Sequence, residues 1–268
     1  MLASLSISQW TARKQDKGVT AEVEAKHGAH DAGKFNKALV NKGLLEPISR
    51  IVGKGREAHY HVTLPWSDNN ERILPSKLFM EYTTTFRGLK SEFDQAVATM
   101  VQQYPAEVQA ARNRLGSMYN PGDYPDPADI AAKFSFEVVF MPIPSAADFR
   151  VDVSKETQDE LKESVTKAVV QRQAKAVISC YARLREVVSK LEERLSDPKA
   201  MFKDSLVTNI SDEVRIMDGL NIMDDPKLKS ITVAISDDLL VSPQTLRDNP
   251  STRERVANSA RVILKDLQ

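Results

Sequence analysis

The segment Gly28-Ala-His-Asp-Ala-Gly33-Lys34 spells most of a phosphate-binding loop, G-x-x-x-x-G-K. In such a loop backbone N–H groups cradle phosphates, and a Ser or Thr after the lysine holds magnesium. Here Phe35 follows, and the preceding Ala21-Glu-Val-Glu-Ala-Lys26 is charged and helical rather than a buried strand. The segment therefore reads as a junction between helices with glycine at the turn. His27-x-x-His30 would share a helix face, and His59-Tyr-His61 a strand face. Each pair could chelate one ion, and Asp31 could join them. Nothing in the sequence brings the pairs together, so surface or edge-strand histidines are expected, with no metal and no cofactor. Cys180 sits mid-helix, away from a helix N-terminus or base that would activate its thiolate, and reads as structural. Asp123, Asp126 and Asp129 are spaced like loop and cap residues and lack the density of a calcium loop. Glu24-Ala-Lys26 lacks the strand-borne acid of a nuclease site, and neither G-x-S-x-G nor H-E-x-x-H occurs. No catalytic constellation remains. Metal bound through the histidines is the one visible route to an enzyme.

What is left is electrostatic. Residues 1–66 hold ten Lys+Arg against six Asp+Glu, although the whole chain balances 37 against 37. The surplus lies in Trp10-Thr-Ala-Arg-Lys-Gln-Asp-Lys17, in Lys34, Lys37 and Lys42, and in Gly53-Lys-Gly-Arg56, interleaved with Trp10, Phe35, Tyr60 and Trp66. Cations that pair phosphates beside rings that stack bases suit single-stranded nucleic acid. In that reading Arg13, Lys14, Lys17, Lys54 and Arg56 meet phosphates and Trp10 stacks a base. The neutral total charge argues against strong non-specific duplex binding.

Such residues need elements to position them. At 268 residues, 41% apolar and 28% charged, the chain can bury a real core. One cysteine excludes intrachain disulfides and a multi-thiolate metal site, as in a reducing cytoplasm. No run of 18 apolar residues is present, so no spanning helix is expected, and the start lacks the marks of a secretory signal. Composition shifts near Met-Pro-Ile-Pro144. Of 17 aromatic residues only Tyr181 and Phe202 lie beyond Phe149, and of ten glycines only Gly219 lies beyond Gly122. Two domains are expected, 1–150 mixed and 151–268 helical. In the first, alternation predicts strands over His59–Trp66 and Phe134–Phe140. Between them runs a helix from Ser76 to Tyr104, interrupted by Pro105, with short helices near Val108–Leu115 and after Asp126-Pro127. Upstream, Thr20 to Val52 reads as short helices punctuated by Gly28, Gly33 and Gly43.

In the second half Ser154 caps a helix of about 42 residues, roughly 63 Å long. Val170, Ala174, Val177, Tyr181, Leu184, Val188, Leu191 and Leu195 form a heptad seam. The seam needs a partner: the helices that follow, which is favoured, or a second chain. Those helices are a stripe from Phe202 to Met217, one after Asp225-Pro226, and one behind a Ser251-Thr-Arg-Glu254 capping box. Ile231-Thr-Val-Ala-Ile235 fits strand or helix, and helix is favoured. The expected fold is α+β and mostly helical: a small antiparallel sheet covered by helices, then an all-helical half with one long helix.

Several strings are specific as sequence: Trp10-Thr-Ala-Arg-Lys-x-Asp-x-x-Val-Thr20, His59-Tyr-His-Val-Thr-Leu-Pro-Trp66, Arg72-Ile-Leu-Pro75, Asp123-Tyr-Pro125 and Pro144-x-x-x-Asp-Phe-Arg150. In these the first 150 residues resemble an uncharacterised family of bacteriophage-encoded proteins. The resemblance implies a protein made in an infected bacterial cytoplasm, with a role in phage DNA metabolism, host takeover or assembly. It supplies no site residues. The expected function is that of a non-enzymatic single-stranded nucleic-acid-binding protein, with an oligomeric state left open. The alternative is a protein–protein adaptor or assembly subunit that self-associates or captures a partner through Val177, Tyr181, Leu184, Val188 and Leu191.

Overall fold

The computed structural model describes residues 1–145 and 154–268. In chain order the elements are β1 (Leu2–Ser8), β2 (Arg13–Gln15), α1 (Lys17–His27), β3 (Asn36–Ala38), α2 (Lys42–His61), β4 (Leu64–Pro65), β5 (Glu71–Ile73), α3 (Phe79–Leu115), α4 (Pro127–Ala131) and β6 (Ser135–Met141). Then come α5 (Lys155–Ser196), α6 (Ser205–Leu220), α7 (Pro226–Leu239), α8 (Pro243–Asp248) and α9 (Pro250–Asp266). The fold is α+β and mostly helical, with a small antiparallel sheet of strand order β4-β5-β1-β6. Leu2 faces Ile73 and Ala3 faces Arg72 across β1 and β5. A separate two-stranded ribbon joins β2 to β3. Among the described residues no helix is long and apolar enough to cross a membrane.

The chain divides into two compact units. One combines Met1–Ser4, Tyr60–Met80 and Phe140–Gln268, and the other combines Leu5–His59 and Glu81–Val139. The boundary expected near residue 150 lies outside the described residues, as does the Asp-Phe-Arg150 end of the resemblance.

In the second of these units, α2 and α3 supply the core. Ile48, Ile51, Val52, Gly55 and His59 recur at helical spacing and are buried. This corrects the strand expected from His59: the helix carries on through His61, and only Leu64–Pro65 is extended. Three-and-four spacing over twenty residues outweighs a short alternation at its end. Gly55 is required here, because a Cβ would stand 2.9 Å from the Phe136 ring of β6. Tyr82, Phe86, Phe93, Met100, Tyr104, Ala111 and Leu115 are the buried stripe of α3. That helix is continuous through Pro105, a second correction. Proline removes one N–H, but the buried stripe keeps its register on both sides and holds the helix together. Tyr82 and Phe86 stack with ring centroids 4.1 Å apart, and His59 Nδ1 sits 2.8 Å from the Tyr82 hydroxyl.

In the other unit α5 begins at the expected cap: the Ser154 hydroxyl accepts from Thr157 N. Its seam packs chiefly against α9 and α6 of the same chain. Val177, Cys180, Leu184, Val188, Leu191 and Leu195 are buried there. Residues 226–239 are helix, with Leu228, Ile231, Ile235 and Leu239 inward. α9 starts two residues earlier than its expected box: Asn249 rather than Ser251 is the N-cap, accepting from Thr252 N, and Pro250 takes the first helical position. Arg253 closes the C-terminal end of α5: its guanidinium donates to the Arg194 and Leu195 carbonyls of the helix and to Asp197 and Ala200 just beyond it. Truncating the centre of this bundle, Leu184→Ala, is expected to cost about 2–5 kcal/mol, read as a lower thermal midpoint. A variant that melts like the parent would show that the seam is not core.

Candidate functional site

The ribbon of β2 and β3 carries two of the residues singled out for nucleic-acid binding, Arg13 and Lys14, with Trp10 just before it. Its register pairs Arg13 with Ala38, Lys14 with Lys37 and Gln15 with Asn36. Side chains alternate faces along a strand, so Arg13 and Lys14 point to opposite sides. Arg13 lines a surface groove of about 350 Å³, with Gln9, Trp10, Ala38, Lys42 and Ser49 among its walls. That volume is at the lower end for small-ligand sites. The Trp10 indole is half-buried and meets Tyr104 edge-on, ring centroids 5.9 Å apart at 80°. A T-shaped contact fixes the indole while leaving at least one of its faces uncovered by Tyr104. Tyr104 is itself held by donating to the Pro125 carbonyl, and burial pushes its hydroxyl up to about 12.

The remaining cations are divided. Arg56 follows Lys42 by fourteen residues on α2, close to four full turns, so it lies on the groove side about 21 Å along the helix. Lys54 is turned about 120° away from Lys42 on the same helix. Lys17 opens α1 and is exposed, and Lys14 is on the other face of the ribbon. Trp10, Arg13 and Arg56 thus share one side, while Lys14, Lys17 and Lys54 do not join them. Lys42 completes the groove. In the sequence it counts only towards the basic surplus, because its approach to Trp10 depends on the ribbon folding beside the start of α2. Glu46, the one acid of the groove wall among the described residues, is 3.7 Å from Arg50 in the next turn.

A buried ion cluster fixes this ribbon. Lys37, in the middle of β3, is only 6% exposed, with its Nζ 2.9 Å from Asp123 and 3.2 Å from Asp16. It also donates to the Met118 carbonyl. Burial opposes its charge, but the hydrogen bonds that its ammonium donates to the Asp123 and Asp16 carboxylates outweigh that and raise its pKa above 10.5. Asp16 is held below 3.8, first by the hydrogen bond from Val19 N at the start of α1 and next by Lys37. The Leu39 carbonyl accepts from both Arg114 and Tyr124, and Leu39 N donates to Ala12. Ala12, between Trp10 and Arg13, is buried with φ 50°, a left-handed conformation that costs a non-glycine residue energy. Strain of this kind persists where its surroundings over-determine it.

The other candidates resolve differently. Gly28, at φ 59°, caps the C-terminus of α1, and the next element is β3, not a helix. The glycine-lysine segment therefore meets the negative end of a helix dipole, the wrong end for phosphate. The histidine pairs do not share faces as expected. His27 ends α1, His30 lies in the loop beyond Gly28, His59 is buried against Tyr82, and His61 is 3.8 Å from Glu213. Among the described residues no group of three or more His, Cys, Asp or Glu could hold a metal ion. Burial pushes the Cys180 thiol up to about 11, away from the thiolate. Val177, Leu184, Val188 and Leu191 are core of their own chain, and the Tyr181 hydroxyl is 2.7 Å from Asp225. The proposed partner face is thus filled intramolecularly, because α6 and α9 supply the apolar surface it needs.

The ion cluster sets a pH window. Asp16, lowered in the fold, adds stability above pH 3.8 that fades as pH falls through its folded value. Lys37, raised in the fold, adds stability that is full below pH 10.5 and fades as pH rises through its folded value. Lys37→Met is expected to lower the thermal midpoint by several degrees at neutral pH. The gap should close well above pH 10.5, where the parent's ammonium is lost too. A gap independent of pH would refute the ionic assignment. Comparison with known proteins finds no family model, no curated protein and no solved structure that matches the chain.

Proposed function

We propose that the protein binds single-stranded nucleic acid through the groove between the ribbon and the start of α2. The observation that carries this reading is one aromatic ring and two cations in one concavity. Trp10 has a face to offer a base, and Arg13 and Lys42 flank it. Neither cation makes an ion pair among the described residues, and the nearest wall carboxylate, Glu46, is turned towards Arg50. Stacking on such a ring is worth about 1–3 kcal/mol per base. The phosphates beside that base would meet guanidinium and ammonium groups that have no protein partner to give up. Gln9, Thr11 and Ser49 add neutral donors and acceptors to the wall. A groove of this size favours one splayed base over a duplex, in keeping with the neutral net charge. The resemblance to phage-encoded proteins supports a setting in phage DNA metabolism within a bacterial cytoplasm.

The test is fluorescence anisotropy of the full chain with a labelled oligothymidylate at about 50 and 200 mM salt. Binding is expected to weaken at least tenfold between the two, since cation–phosphate contacts release counterions. Trp10→Ala and Arg13→Ala should each lower affinity about tenfold without moving the thermal midpoint by more than a few degrees. Salt-insensitive binding, or binding that ignores both substitutions, would sink the assignment.

A further inference from the structure

α2 carries a glycine that the fold does not require. Gly55 has its reason in the Phe136 ring, but Gly53 is exposed, mid-helix, and a Cβ there would meet nothing within 4 Å. Glycine in a helix interior is disfavoured relative to alanine, since its backbone loses more freedom and it offers no side chain. Folding alone would favour almost any other residue. The position, however, is not arbitrary. Lys42, Ser49, Gly53 and Arg56 follow one another at spacings of seven, four and three, which is one stripe of an α-helix. Lys42 and Ser49 belong to the groove wall, and Arg56 is the next cation along the same line, about 10 Å beyond Ser49. Between the groove and Arg56 the stripe thus has one position, Gly53, where no side chain covers the helix backbone. Glycine is the residue that lets another chain approach a helix most closely.

We propose that the nucleic-acid strand bound in the groove leaves it along α2, crossing the helix at Gly53 to set a phosphate on Arg56. This rests on the groove reading and extends it into a track. The footprint from Lys42 to Arg56 is about 21 Å of helix, on the order of four nucleotides. The strand runs on the Arg56 side of α2, so Lys54 plays no part. Arg56 acts here as a second phosphate contact, and Gly53 as a positioning residue that acts by absence of bulk.

The experiment uses the full chain with a labelled eight-residue oligothymidylate, measured for the parent, Gly53→Ala, Gly53→Leu, Gly88→Leu and Arg13→Ala. Gly88 is equally open, but lies on α3 and outside the groove wall. Both Gly53 substitutions should raise the thermal midpoint by about 2–4 °C, because each improves the helix. Gly53→Leu should nevertheless weaken binding at least fivefold, with Gly53→Ala between it and the parent and Gly88→Leu unchanged. A more stable protein that binds less well cannot be explained by damage to the fold. Binding that falls in Arg13→Ala but is untouched by Gly53→Leu overturns the track and leaves the groove standing. No binding by the parent overturns both.

Discussion

Lys37 places an ammonium where water scarcely reaches it, and the ribbon depends on what offsets that cost. Taking a charge out of water is expensive, and the fold meets the expense with two carboxylates and a main-chain carbonyl around one nitrogen. The partners come from distant parts of the chain. Asp16 is the N-cap of α1, and Asp123 lies in the turn-rich loop beyond α3. Because a buried charge stripped of a partner is costly, losing any one of these partners weakens the hold of the others on the ribbon. A three-residue strand pair with little apolar area of its own is thereby held in one register.

That constraint decides which cations remain for other work. Lys37 is the residue of the ribbon whose charge is spent within the fold, while Arg13, on the opposite face, keeps its guanidinium for the groove. The left-handed Ala12 is the bend between Trp10 and Arg13. Its buried methyl and the hydrogen bond from Leu39 to its carbonyl hold it in place. The strained residue, the ion cluster and the Tyr104 ring beside Trp10 act together to set the half-buried Trp10 indole in one groove wall with the exposed Arg13 and Lys42.

The helical unit follows a simpler rule. Hydrophobic burial is non-directional, so a heptad seam accepts whichever apolar surface reaches it first at sufficient local concentration. Here α6 and α9, tethered by short connections, supply that surface. Arg253 closes the end of α5 by satisfying carbonyls that would otherwise lack donors, and Arg183 ties α5 to α6 through a two-pronged pair with Glu213.

The long periodic segments were determined by sequence alone. Ser154 and forty residues without Gly or Pro specify α5, Asp225-Pro226 specifies the start of α7, and alternating Phe134, Phe136 and Val138 specify β6. In the two helices local hydrogen bonding and hydrophobic period agree, whereas β6 shows its period in the sequence but takes its hydrogen bonds from the distant β1. The basic and aromatic character of the first 66 residues was equally plain. Tertiary structure alone decided the rest. The short strands Arg13–Gln15, Asn36–Ala38 and Glu71–Ile73 have no period long enough to read, and exist because something pairs with them. The end of α2 at His59 alternates like a strand and is a helix because its other side is buried. Above all, the sequence shows Trp10, Arg13, Lys14, Lys17, Lys54 and Arg56 as one basic cluster. Only the strand register and the turn of α2 sort them by direction, uniting Trp10 and Arg13 with Lys42 and sending Lys14 and Lys54 elsewhere. Charge is a property of composition, but a binding face is a property of which way side chains point, and that is set by pairing and packing across the chain.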